Sequence, residues 1–163
     1  MPERGAIARI CLTFEARMAW GDMRLKLAIA ALVGIAATGA FRTISAQGKT
    51  QWDGVYTAEQ ATRGQVAYTN SCAACHGSDL NGTDVPSLTG ADFLRNWSDS
   101  TVGQLFERIK FSMPLDTPGT LSPQQAADIV AFILQKGNFP AGQSELPSQV
   151  EGLNGIKFSA TKP

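Results

Sequence analysis

Two thiols three positions apart, followed at once by an imidazole, occur once in this chain, in Cys72-Ala73-Ala74-Cys75-His76. On one short turn, that spacing allows two thioether bonds to the vinyl groups of a single haem while the adjacent imidazole reaches the iron. A C-x-x-C pair is also compatible with a zinc half-site, a thioredoxin-like redox pair or a structural disulfide. Zinc would need further ligands, yet no other Cys or His occurs after residue 46, which leaves only carboxylates to complete a tetrahedral site. A redox pair of the thioredoxin kind follows a strand in a βαβ pattern, and no strand run precedes Cys72. Covalent haem attachment at Cys72 and Cys75, with His76 as an iron ligand, is the reading these residues favour.

A second candidate ligand comes from the methionines. The chain has four, Met1, Met18, Met23 and Met113, and only Met113 lies in the body of the protein. It sits in Lys110-Phe111-Ser112-Met113-Pro114-Leu115, where the proline stops a preceding helix and favours an extended residue before it. A thioether so placed can take the second axial position of an iron, although a lone Met also serves as core filler. With His and Met on both axial positions, the potential rises and outer-sphere electron transfer is favoured over binding of oxygen or peroxide.

The ends of the chain read differently from its middle. Residues 1–46 hold six of the 14 basic side chains and three of the 14 acidic ones, so the remainder has 14 − 6 = 8 basic against 14 − 3 = 11 acidic. From Met23 the chain runs through Arg24 and Lys26, an uncharged stretch of 15 residues from Leu27 to Phe41, and small residues ending at Ala46. This is the layout of a secretory signal peptide over 23–46, and the stretch is shorter than the roughly 20 residues a spanning helix needs. Cleavage near Ala46 and a periplasmic location are expected, with membrane contact only if residues 25–41 are retained as an anchor. Residues 1–22 read as an upstream start taken too early or as a leader. The formal net charge of zero offers no basic balance for nucleic acid.

Helical signals surround the motif. Thr57-Ala58-Glu59-Gln60 reads as a capping box, with Gln60 reaching back, that opens a helix to about Asn70. Gly64 and Tyr68 share one face of it, which suggests close approach by another helix. Val102, Leu105, Phe106 and Ile109 recur at helical spacing in a second helix, expected to be capped by Ser98 or Ser100. Ser122-Pro123-Gln124-Gln125 opens a third that ends before Gly137. There Ile129, Val130, Phe132, Ile133 and Leu134 form an apolar surface broad enough for both a helix and a haem edge. Gly77 to Asp84 is turn-rich, and no alternating strand pattern or internal repeat occurs. One domain is therefore expected over 52–140, followed by a loop-rich extension over 141–163 that Leu153, Ile156 and Phe158 pin down.

The order of the Gly64/Tyr68 helix, CAACHG, Pro86, Met113-Pro114 and a closing helix with Phe132 resembles the monohaem class I cytochromes c, notably the cytochrome domains of C-family haem-copper oxidase subunits and quinoprotein dehydrogenases. The resemblance covers about residues 52–140. It implies an all-α, class I cytochrome c fold with three to four helices around one covalently bound haem c. It also implies attachment at Cys72 and Cys75, iron ligation by His76 and Met113, and a Pro86 carbonyl that accepts the other imidazole N–H. Trp97 and Arg95 are placed near the haem propionates, with plain exposure on a polar loop the alternative for Arg95. The function implied is an exported, non-enzymatic carrier of single electrons, exchanging with an oxidase, a quinoprotein dehydrogenase or another respiratory complex. Other classes stay open: a dedicated subunit that takes electrons from a quinoprotein dehydrogenase or feeds an oxidase, with the tail from Gly137 as a docking element; a haem enzyme or gas sensor in which Met113 dissociates; and a non-haem disulfide or interaction module.

Overall fold

The computed structural model describes residues 48–82 and 84–162. The expected leader over 1–22, the signal peptide over 23–46 and the alternative anchor over 25–41 all lie outside the described residues. In chain order, the elements are β1 (Lys49–Thr50), α1 (Ala58–Ser71), α2 (Ala73–His76), α3 (Gly90–Trp97), α4 (Val102–Ser112), α5 (Pro123–Lys136), α6 (Val150–Leu153) and β2 (Ile156–Lys157). The architecture is that of the expected all-α class. The two short strands pair in parallel, Lys49 opposite Ile156 and Thr50 opposite Lys157. No helix among the described residues is long and apolar enough to cross a membrane.

The long helices start where local chemistry dictates. At α5, the Ser122 hydroxyl accepts from the Gln125 N–H at 3.2 Å and the Gln125 amide oxygen accepts from the Ser122 N–H at 2.9 Å, with Pro123 as the first helical residue. The start of α4 is Thr101, with the same reciprocal box to Gln104 at 3.2 and 2.9 Å, and not the expected Ser98 or Ser100. Ser98 is used elsewhere: its hydroxyl donates to the Leu94 carbonyl at 2.7 Å and closes α3, an element absent from the expected set. At α1, Thr57 caps the Gln60 N–H at 3.1 Å, but the Gln60 side chain does not reach back. It is fully buried and spans to the C-terminal segment, donating to the Leu146 carbonyl at 3.0 Å and accepting from the Leu146 N–H at 2.8 Å. A buried amide needs both a donor and an acceptor, and Leu146 supplies both.

The core forms where α1 crosses α5. A Cβ on Gly64 would lie 1.8 Å from the Asp128 carbonyl oxygen and 3.0 Å from the Phe132 Cβ, so only glycine permits this approach. Beside the crossing, the Tyr68 and Phe132 rings stand 5.2 Å apart. Arg63 forks onto the buried Asp128 with two bonds of 3.1 Å and onto Glu145 at 2.9 Å, which ties α1, α5 and the C-terminal segment together. The five apolar residues singled out in α5 are all buried. So are Leu153, Ile156 and Phe158 of the C-terminal segment, which carries α6 and β2 in addition to loops.

Candidate cofactor cleft

The CAACH segment leaves α1 through Cys72, whose N–H still bonds the Tyr68 carbonyl at 2.8 Å, and forms the single turn α2. The turn is held from both sides. The buried Tyr68 hydroxyl donates to the Gly77 carbonyl at 2.6 Å, and the Gly82 N–H donates to the His76 carbonyl at 3.0 Å. The loop that follows is anchored by Leu80, which is fully buried and held at φ +63°, a conformation a branched side chain rarely takes. Its carbonyl accepts from the Leu88 N–H at 2.9 Å and the Ser87 hydroxyl at 3.3 Å, which fixes the two residues that follow Pro86.

A cleft of about 650 Å³ opens beside this turn. Cys72, Cys75, His76, Pro86 and Met113 all line it. Met113 arrives as the residue that ends α4, in extended conformation with φ −122° and ψ 152°. The apolar walls come from Leu105 and Ile109 of α4 and from Ile129 and Ile133 of α5. A volume of this size, mostly apolar with a few polar groups, is that of a small-molecule or cofactor site. Trp97 also lines the cleft, as the resemblance implies, whereas Arg95 is an exposed residue of α3 paired with Asp92 and does not. The cationic residue in the lining is Arg108, which the sequence reading missed because a charge on an amphipathic helix looks like part of its solvent face.

The electrostatics separate the candidate chemistries. Burial, with Cys75 second, pushes the Cys72 thiol up to about 11, the direction opposite to that of an activated thiolate. Among the described residues, no group of three or more His, Cys, Asp or Glu is placed to hold a metal ion, so the pair gains no partners for zinc. The His76 Nδ1 is buried and has no hydrogen-bond partner among the described residues; the Pro86 carbonyl is not bonded to it. An unmet buried nitrogen costs about 1–3 kcal/mol. Two thiols, an imidazole, a thioether and an apolar wall around one cleft fit a covalently attached haem.

Burial also pushes the Tyr68 hydroxyl up to about 12 from its ordinary 10.0, with Cys72 and Asp79 adding to the shift. The protonated phenol is favoured in the folded state. Its contribution to stability is therefore complete below pH 10 and lost as pH rises toward 12. Over that window the protein is expected to lose denaturant resistance relative to a Tyr68→Phe variant. A difference between the two that stays constant with pH would contradict the assignment.

The family model for cytochrome c oxidase, cbb3-type, subunit III matches residues 59–133, which run from α1 to within α5. Among solved structures, the sulfane dehydrogenase SoxCD from Paracoccus pantotrophus is similar at 22% identity and a TM-score of 0.44, over 54% of this chain and 53% of that one. The chain thus spans about half the length of that structure. No curated protein matches. Domains of the matched kind carry electrons on haem c. Over residues 59–133 the chain matches the monohaem class I cytochrome c family.

Proposed function

We propose that this protein is an exported c-type cytochrome that carries single electrons on one haem, attached at Cys72 and Cys75 and ligated by His76 and Met113. The observation that carries this reading is the convergence of all four side chains on one apolar cleft, although Met113 is far from the motif in sequence. A haem there would supply a one-electron couple, and His76 and Met113 would hold its iron, which favours outer-sphere exchange. The chain's own residues do the rest. Leu105, Ile109, Ile129 and Ile133 exclude water, Tyr68 and Leu80 hold the motif turn, and Arg108 offers a positive charge to the haem carboxylates. The Pro86 carbonyl, not bonded to His76 Nδ1 in this structure, is the proposed acceptor for it when the cofactor is bound, a bond that would fix the tautomer and strengthen the imidazole as a donor. We place the boundaries of the cytochrome domain at 52–140 and the C-terminal extension at 141–163.

Export by the 23–46 segment to the periplasm suits the chemistry, since covalent haem attachment and an exported context go together in this reading. The family description, which names an oxidase subunit, supports a respiratory partner. Phe111 and Leu115 flank Met113 at 63% and 72% exposure, an apolar rim suited to brief docking of such a protein. The deciding experiment is the visible spectrum of the exported protein, oxidised and reduced. A sharp reduced α-band of a c-type haem is expected, with a long-wavelength charge-transfer band in the ferric form that marks Met ligation. Met113→Ala is expected to abolish that band and lower the reduction potential, as read by redox titration. A ferric band that survives the substitution would remove Met113 from the iron. Loss of the band in the unaltered protein at neutral pH would favour an enzyme or sensor instead.

A further inference from the structure

The C-terminal segment lies outside the matched family region, yet its residues reach one wall of the cleft. That wall is α3 and the turn after it, from which Asn96, Trp97 and Ser100 line the cleft. On its own, α3 has little to hold it: Phe93 is its one buried residue. The Phe93 ring stands 5.8 Å from the ring of Phe158, edge to face, and Phe158 lies 6.2 Å from Trp97. Edge-to-face pairs of this kind contribute beyond simple burial. The backbone repeats the contact, because the Phe158 N–H donates to the Ser100 carbonyl at 2.9 Å and Lys157 bridges to Thr101.

Phe158 is itself tied down from the far end of the domain. The fully buried Gln51 side chain donates to the Ser159 carbonyl at 2.6 Å and accepts from the Ser159 N–H at 2.9 Å, and the Trp52 indole N–H also donates to the Ser159 carbonyl at 3.2 Å. We infer that Phe158 is a positioning residue for the cofactor: through Phe93 and Trp97 it sets the α3 wall, and so sets how much water reaches the cleft. This rests on the cleft being the haem site. Water near the iron stabilises the more highly charged ferric form, so a loosened wall lowers the reduction potential.

The test compares three variants of the haem-loaded protein. Phe158→Ala is expected to shift the ferric-to-ferrous ratio at fixed potential roughly threefold toward ferric, about 28 mV at 59 mV per tenfold. Phe158→Leu, which keeps an apolar side chain there, is expected to move it less in the same direction, and it serves if the alanine variant does not fold. Leu146→Ala cuts into the same segment at its other anchor, away from the cleft, and is expected to lower the melting temperature with the potential unchanged. Amide exchange over residues 90–101 gives a reading independent of haem: at least tenfold faster in Phe158→Ala and unaffected in Leu146→Ala. A potential and exchange rate in Phe158→Ala equal to those of the unaltered protein overturn the inference. Equal shifts in Phe158→Ala and Leu146→Ala do so too, since a merely structural role produces that pattern. If the unaltered protein binds no haem, the haem reading fails while the exchange data still decide whether Phe158 sets the wall.

Discussion

Replacing Cys72 and Cys75 together by alanine is expected to leave a chain without a cooperative melting transition. The cleft of about 650 Å³ is walled by the buried Leu105, Ile109, Ile129 and Ile133 and by the half-buried Val85, Leu88, Trp97 and Met113, and with no covalent cofactor in it the half-buried apolar lining is left open to water. Apolar surface left wet forfeits roughly 25 cal/mol per Å² of burial. The domain has only about 5–15 kcal/mol of net stability to lose. Circular dichroism is expected to retain helix while thermal unfolding broadens and a hydrophobic dye binds, the signature of secondary structure without fixed packing. A sharp transition in the haem-free variant, near that of the loaded protein, would show that the side-chain core suffices.

Gly64→Ala tests the helix crossing, and two effects oppose each other there. Alanine is better than glycine inside a helix by about 1 kcal/mol. Against this, its Cβ would sit 1.8 Å from the Asp128 carbonyl oxygen, a main-chain atom of α5 that moves only if the two helices separate. Overpacking of this kind costs typically 1–3 kcal/mol and more where backbone must shift. The clash is therefore expected to win, with a net loss of about 2 kcal/mol or more in denaturant unfolding. Separation of the helices would also disturb the Arg63–Asp128 fork and the Tyr68–Phe132 pair. A variant as stable as the parent, or more so, would mean that α1 and α5 slide without penalty.

The parts of this fold that the sequence announces are those whose chemistry is local or singular. Thr57 and Ser122 cap the next turn of their own helices, so their signals need no knowledge of the rest of the chain. Gly64 could be read because a glycine in a helix interior invites a reason. Cys72, Cys75, His76 and Met113 stood out by rarity, and the structure brings them to one cleft. What stayed hidden depends on distant partners. Gln60 has the spacing of a capping residue, but the backbone of Leu146 competes for its amide and takes it. Helix α3 carries one buried side chain, Phe93, and the ring against it comes from Phe158, so no local periodicity reveals it. The true start of α4 was masked because Ser98 and Ser100 offer the same hydroxyl chemistry as Thr101 within four residues. Arg108 shows the same limit at the site, since only the fold tells a cleft-lining cation from a solvated one.

The two glutamine forks join residues 86 and 108 positions apart. Contacts that close such long loops are the slow ones to form, because chain entropy is lost before the contact rewards it. In a chain made from its N-terminus, the haem motif and Met113 both emerge before Leu146 and Ser159 exist to be gripped. The α3 wall is thus the last side of the cleft to acquire its support. Time is built into the architecture: the α3 side of the cleft gains its support only when the final residues fold back onto Gln51.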